Sequence, residues 1–147
     1  MDIDSKLSWY ACRWQVEIFF NILKSGCSIE KLQLETRNRL ESALALYMII
    51  AWRILYVKTV NRICPNAPCD IVFEDVEWQA IYLITQNKKP PIEPPPLREI
   101  FKMLASLGGH LKRKHDAPPG PKVIWIGLQR VRDFVLVLNA QKIMAET

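Results

Sequence analysis

The chain is predicted to be all-α, with about five helices, on three observations. Apolar residues recur at helical spacing along most of its length, no alternating apolar and polar run bounded by turns argues for a sheet, and prolines and glycines break the helical pattern into segments. The first helix starts near Asp4 or Ser5, either of which can cap its amides, and ends at Gly26, a left-handed stop after Lys24 and Ser25. A second runs from about Arg37 to Arg62 and contains the apolar stretch Leu44 to Val57. It is expected to be the central helix, buried on most sides, and it ends before the turn-rich Pro65, Asn66, Ala67 and Pro68. The third, about Glu74 to Gln86, carries Trp78, Ile81, Tyr82 and Ile84. From Asn87 to Pro96 five of ten residues are proline, which forbids helix and favours an extended, semi-rigid connection. A fourth helix covers about Leu97 to Leu107, with Gly108 and Gly109 ending it, and a basic then proline-rich loop leads to the last, about Lys122 to Ala145. In that helix Ile124, Leu128, Val131, Val135 and Leu138 follow steps of four, three, four and three, the seam of one helix packing on another. The partner is either the rest of the same domain or a second chain, so these five are also candidate dimer contacts.

Half of the 147 residues are apolar, enough for one respectable core and one compact unit. The formal charge of +5 favours an anionic partner, with nucleic acid the foremost. Met1 to Lys6 lacks the apolar core of a signal peptide, and the apolar run from Ala43 to Trp52 is too short to span a bilayer; a cytoplasmic protein with no membrane partner is expected. Cys12, Cys27, Cys64 and Cys69 are then reduced thiols. A zinc set drawn from Cys64, Cys69, His110 and His115 is disfavoured, because proline loops separate the pairs and the gaps sit at the edge of usual ligand spacings.

The feature that points to chemistry lies on the first helix. At about 100° per residue, Arg13, Glu17 and Lys24 fall within about 60° of Tyr10, so four polar groups share one stripe. Trp9, Cys12, Val16, Phe19, Ile22 and Leu23 lie opposite, which predicts that this face is buried. Without further context, such a stripe is a solvated face with an Arg13–Glu17 pair, worth about 0.2–0.5 kcal/mol. A carboxylate among cations is also what a metal-and-phosphate site requires.

The segment Tyr10 to Gly26, YACRWQVEIFFNILKSG, resembles the Y-x2-R-x3-E-x6-K signature of bacterial cut-and-paste DDE transposases of the insertion-sequence-four family, which includes the transposon-five transposase. The likeness extends to the Trp after the Arg, the aromatic pair after the Glu and the Gly after the Lys. Downstream, Leu34 to Val57 resembles the long helix that follows the signature, FEDVEWQAIYLIT resembles the next helix, and Pro94 to Phe134 is similar to the family's carboxyl-terminal dimerisation segment. The resemblance implies that residues 1–35 hold the signature helix of a truncated ribonuclease-H-like catalytic core. Residues 36–147 then form a helical dimerisation-type region, packed with 1–35 as one unit.

In that family three carboxylates bind two divalent ions, Mg²⁺ or Mn²⁺, for phosphoryl transfer. The resemblance makes Glu17 the catalytic, metal-binding third carboxylate. It makes Tyr10, Arg13 and Lys24 the groups that hold transposon-end DNA, and Trp14 an aromatic that stacks on a displaced base. The two partner aspartates are not found, because Asp2, Asp4, Asp70, Asp75, Asp116 and Asp133 sit in no plausible buried strand. Stable metal binding and catalysis by this chain alone are therefore not expected. The loop residues Lys112, Arg113 and Lys114 are additional candidates for backbone contacts with DNA. Three functions stay open at this point. One is a carboxyl-terminal transposase fragment, cytoplasmic and nucleoid-associated; another is a regulatory protein that pairs with full-length transposase and inhibits it; the third is a free-standing DNA-binding module.

Overall fold

The computed structural model describes residues 3–111, 113 and 117–145. Among the described residues there are five α-helices and no strand: α1 (Ile3–Asn21), α2 (Arg37–Ile63), α3 (Asp75–Gln86), α4 (Leu97–Leu107) and α5 (Pro121–Ala145). The all-α expectation holds. The chain gathers into two compact units, residues 1–56 and 57–147, and the division falls inside α2.

In the first unit, α1 begins at Ile3, so Asp4 and Ser5 lie within its first turn rather than ahead of it. It does not run on as an α-helix to Gly26. From Ile22 to Gly26 the backbone widens into a π turn, closed by the Cys27 N–H donating to the Ile22 carbonyl at 2.9 Å. The Ser25 hydroxyl donates to the Asn21 carbonyl at 2.6 Å, one turn back. Gly26 is not the left-handed stop; Ser28 takes that conformation, with φ of 54°. A short 3₁₀ turn, Ile29–Lys31, follows.

Burial in this unit departs from the periodicity. Ile22, Leu23 and Cys27 are buried, but Trp9 is 72% exposed, Val16 is exposed and Phe19 is half-buried. The face opposite the polar stripe is thus covered only at its carboxyl-terminal end. The expectation for α2 also fails: it is not buried on most sides. Ala51, Ile54 and Val57 are sealed, whereas Leu44, Leu46, Met48, Ile49 and Trp52 are exposed. At 27 residues α2 is long and apolar enough to cross a membrane, which corrects the judgement that this region is too short. A helix that packs on protein meets the same measure, so length and composition alone do not assign it to a bilayer. On its surface Trp52 and Tyr56 stack one turn apart, ring centroids 5.2 Å apart and nearly parallel.

The second unit holds a conventional core. Leu97, Ile100, Phe101, Leu104 and Ala105 are all buried, the i, i+3, i+4, i+7, i+8 pattern of a helix with one apolar stripe. Against them pack α3, through Trp78 and Ile81, and α5, through Ile124 and Val131. α3 starts sharply because the Glu77 carboxylate reaches back to the Glu74 N–H at 3.1 Å, and it stops at Asn87, left-handed at φ 51°. The Trp78 indole N–H, otherwise an expensive buried donor, is satisfied by the Asp75 carboxylate at 3.1 Å.

The proline segment forms no helix, as expected; it bends at Ile92 and Glu93 and is anchored at its end. Pro68 and Pro96 face each other in an isolated antiparallel bridge. The bonds flanking it run from Cys69 N–H to the Pro95 carbonyl, 2.9 Å, and from Leu97 N–H to the Ala67 carbonyl, 2.8 Å. Two prolines fit because residues at such a non-hydrogen-bonded position do not use their own N–H. Gly108 and Gly127 serve close packing of two helices. A Cβ on Gly108 would collide with the Val123 carbonyl, and one on Gly127 would lie 2.5 Å from the Leu104 carbonyl oxygen. These contacts let the end of α4 approach the start of α5.

Candidate nucleic-acid interface

The polar stripe forms on α1 as a chain of contacts. The Arg13 guanidinium lies over the Tyr10 ring, 5.0 Å from its centroid, and its Nη2 is 3.3 Å from Glu17 Oε1. Steps of three and four residues on an uninterrupted α-helix make this possible, because such residues are neighbours on its surface. Both partners of the ion pair are at least half exposed. Exposed pairs of this kind contribute about 0–1 kcal/mol, so the guanidinium can exchange the carboxylate for an incoming phosphate at little cost.

Lys24 is placed differently. It sits in the π turn, where i→i+5 bonding breaks the 100° count from which its position on the stripe was reckoned. Its ammonium lies 3.7 Å from Glu30 Oε1, on the 3₁₀ turn that follows. The structure therefore brings Tyr10, Arg13 and Glu17 together and joins Lys24 to Glu30. Glu30 was missed from sequence because the pairing depends on the left-handed Ser28 between them, which no helical spacing describes. Trp14 is 67% exposed, with its ring open to solvent beside the stripe.

The described residues do not by themselves make a divalent-metal site. Among them no three His, Cys, Asp or Glu side chains come close enough to hold an ion, and the near neighbour of Glu17 is a cation. Glu17 supplies one carboxylate, and a hard cation needs several oxygen ligands. Of the cysteines once weighed for zinc, Cys69 is fully buried. Burial, followed by the charges of Asp70 and Asp75, pushes its thiol up to about 12, so it stays protonated and poorly suited to bind metal.

Of the other candidates, Arg113 is exposed, while Lys112 and Lys114 lie outside the described residues. The seam on α5 is used inside its own unit. Ile124 and Val131 are buried, and Leu128, Val135 and Leu138 are half-buried. The outward apolar residues near the end of α5 are others, Leu136, Val137 and Met144. Heptad spacing finds the better-filled of two apolar faces and says nothing of which chain fills it.

Comparison with known families agrees with this anatomy. The family described as transposase DDE domain matches residues 5–53, which include the whole polar stripe, and that described as transposase Tn5 dimerisation domain matches residues 49–147. No curated protein matches significantly. The chain therefore belongs to the Tn5 transposase dimerisation-domain family and, with its DDE match, is part of a DDE transposase. Neither match favours a separate regulatory protein or a free-standing DNA-binding module. DDE transposases use divalent metal ions, and the two matches carry DNA binding and dimer formation as the general expectation for this chain.

Proposed function

We propose that the chain is the carboxyl-terminal part of a cut-and-paste transposase of the insertion-sequence-four type. In this reading α1 grips transposon-end DNA and supplies one catalytic carboxylate. The observation that carries it is the contact chain from Tyr10 through Arg13 to Glu17, inside the segment matched to the DDE domain. Arg13 and Lys24 release their carboxylates and take phosphate oxygens, Tyr10 holds the guanidinium from beneath, and Trp14 offers a stacking face. Glu17, freed from Arg13, becomes one ligand of a metal site completed by carboxylates outside the described residues. In this reading residues 1–35 carry the signature helix and residues 36–147 the dimerisation-type region.

Duplex binding at low salt is the test. Arg13→Ala and Lys24→Ala are each expected to weaken it by about three- to tenfold and to flatten its salt dependence, whereas Glu17→Ala leaves it unchanged or tighter. Absence of binding at low salt, or indifference to Arg13→Ala, would overturn the reading. No metal-dependent nicking is expected from the chain alone; a nick in supercoiled plasmid that survives purification and disappears in Glu17→Ala contradicts this.

A specific observation also favours pairing of two transposase chains through the far end of α5. Leu136, Val137, Ala140 and Met144 share one outward face, away from Ile124 and Val131. Val137→Asp is expected to lower self-association measured by sedimentation while preserving helicity. Val131→Asp is the wrong probe, since Val131 is 2% exposed and a charge there unfolds the unit. The exposed apolar face of α2 fits the remainder of a transposase core better than a bilayer, because both family matches run into this helix. Location in the bacterial cytoplasm, on the nucleoid, follows from this reading.

A further inference from the structure

The second unit has a cavity of about 460 Å³, within the size range of small-ligand pockets, that the stripe on α1 does not involve. One wall is a face of α4, where Arg98, Phe101, Lys102 and Ala105 recur at i, i+3, i+4 and i+7. The helix sorts them by chemistry: Arg98 and Lys102 are exposed, Phe101 and Ala105 buried. His110 and Pro118 contribute from the loop beyond α4, and Asn61 from the end of α2. The wall is held in place at both ends. Arg98 N–H donates to the Pro65 carbonyl at 2.9 Å, and His110 N–H to the Ala105 carbonyl at 3.0 Å.

Three properties narrow the ligand. Among the described lining residues there is no Asp or Glu, and the exposed side chains of Arg98 and Lys102 give this wall a positive rim that suits an anion. A bare phosphate would leave the apolar rings of Pro118 and Pro119 and the edge of Phe101 uncovered, so the ligand also carries a flat or apolar body. Asn61 Oδ1 is buried with no hydrogen-bond donor, which a small turn of the amide toward a ligand N–H would relieve. A nucleobase has an apolar face and N–H groups at its edge, and its nucleotide carries the anion.

We infer that this cavity holds one nucleoside monophosphate unit, the unpaired terminal nucleotide of a DNA end. The base lies against Pro118, Pro119 and the edge of Phe101, the phosphate meets Arg98 and Lys102, and Asn61 reads the base edge. The choice of DNA over a free nucleotide rests on the transposase reading; the pocket itself does not.

The test is titration of the full ¹⁵N-labelled chain with deoxyadenosine monophosphate, and separately with inorganic phosphate and with deoxyadenosine. Saturable shifts are expected in the amides of residues 97–110, with the nucleotide binding at least about tenfold more tightly than either component. Arg98→Ala combined with Lys102→Ala, both exposed and so compatible with folding, should weaken it about tenfold or more. Asn61→Leu should weaken it about threefold to tenfold. Shifts absent from this region, equal affinity for phosphate alone, or indifference to the double variant would overturn the pocket. A duplex with one unpaired terminal nucleotide should bind more tightly than a blunt duplex, and the gain should vanish in Asn61→Leu. Equal binding of the two duplexes would overturn the assignment to a DNA end. Arg13→Ala should leave nucleotide affinity unchanged, so the pocket and the stripe fail independently.

Discussion

Residues 57–147 and residues 1–56 are written in the same helical pattern and end in opposite states. In the second unit the apolar stripes of α3, α4 and α5 meet, and Trp78, Leu97, Ile100 and Leu104 are sealed from solvent. In the first, Trp9, Trp14, Leu46 and Ile49 stand open, although they belong to helices just as regular. Periodicity thus reports that a helix has an apolar face, and whether that face is covered depends on which other segments are present. Exposed apolar patches of this kind are where proteins meet other surfaces.

The contrast can be broken most directly by truncating a tryptophan in each half. Trp78→Ala is expected to destabilise the second unit by about 3–5 kcal/mol, and Trp9→Ala to change stability by no more than about 0.5 kcal/mol, both read by urea unfolding. A destabilised Trp9→Ala would mean that α1 is covered after all. Next in size is Gly127→Ala, whose added methyl meets the Leu104 backbone; a loss of about 1–3 kcal/mol is expected, with none for Gly120→Ala, where nothing lies within 4 Å.

The Cys69 thiol sharpens the same comparison through pH. Its folded value of about 12 exceeds the ordinary 9.0, so the stability associated with its neutral form is fully present below pH 9 and lost as pH rises from 9 toward 12. The slope is about 1.4 kcal/mol per pH unit, and Cys69→Ala should remove that share of it when denaturant midpoints are compared from pH 8 to 11. Smallest is Arg13→Ala, expected to cost less than about 0.5 kcal/mol in the first unit, so that any loss of DNA binding reports contact with DNA rather than unfolding.

Much of the fold was legible because its punctuation is chemical. Asn87, the prolines up to Pro96, Gly108 and Gly109 mark ends that no helix can cross cheaply, and the helices fill the intervals. The π turn was not legible, since an i→i+5 bond leaves no mark in apolar spacing, and with it went the position of Lys24. The Tyr10, Arg13 and Glu17 stripe was readable because it needs only local geometry. Its partner Glu30 and the cavity beside α4 were not, because they bring together residues from separate segments. The seam from Ile124 to Leu138 was found correctly as a seam, yet sequence spacing cannot distinguish a fold's own core from a neighbour's.

The bridge between Pro68 and Pro96 has a consequence for solubility. Two extended strands side by side are the seed from which a sheet recruits further strands, in this chain or in another, through unpaired edge amides. Here each strand of the seed presents a proline at its centre and has further prolines close by at Pro65, Pro94 and Pro95, so its edges offer few donors to a newcomer. The chain gains a clasp for the amino terminus of α4 that is capped against growth, and a protein with so much open apolar helix carries no ready template for fibrous aggregation at that point.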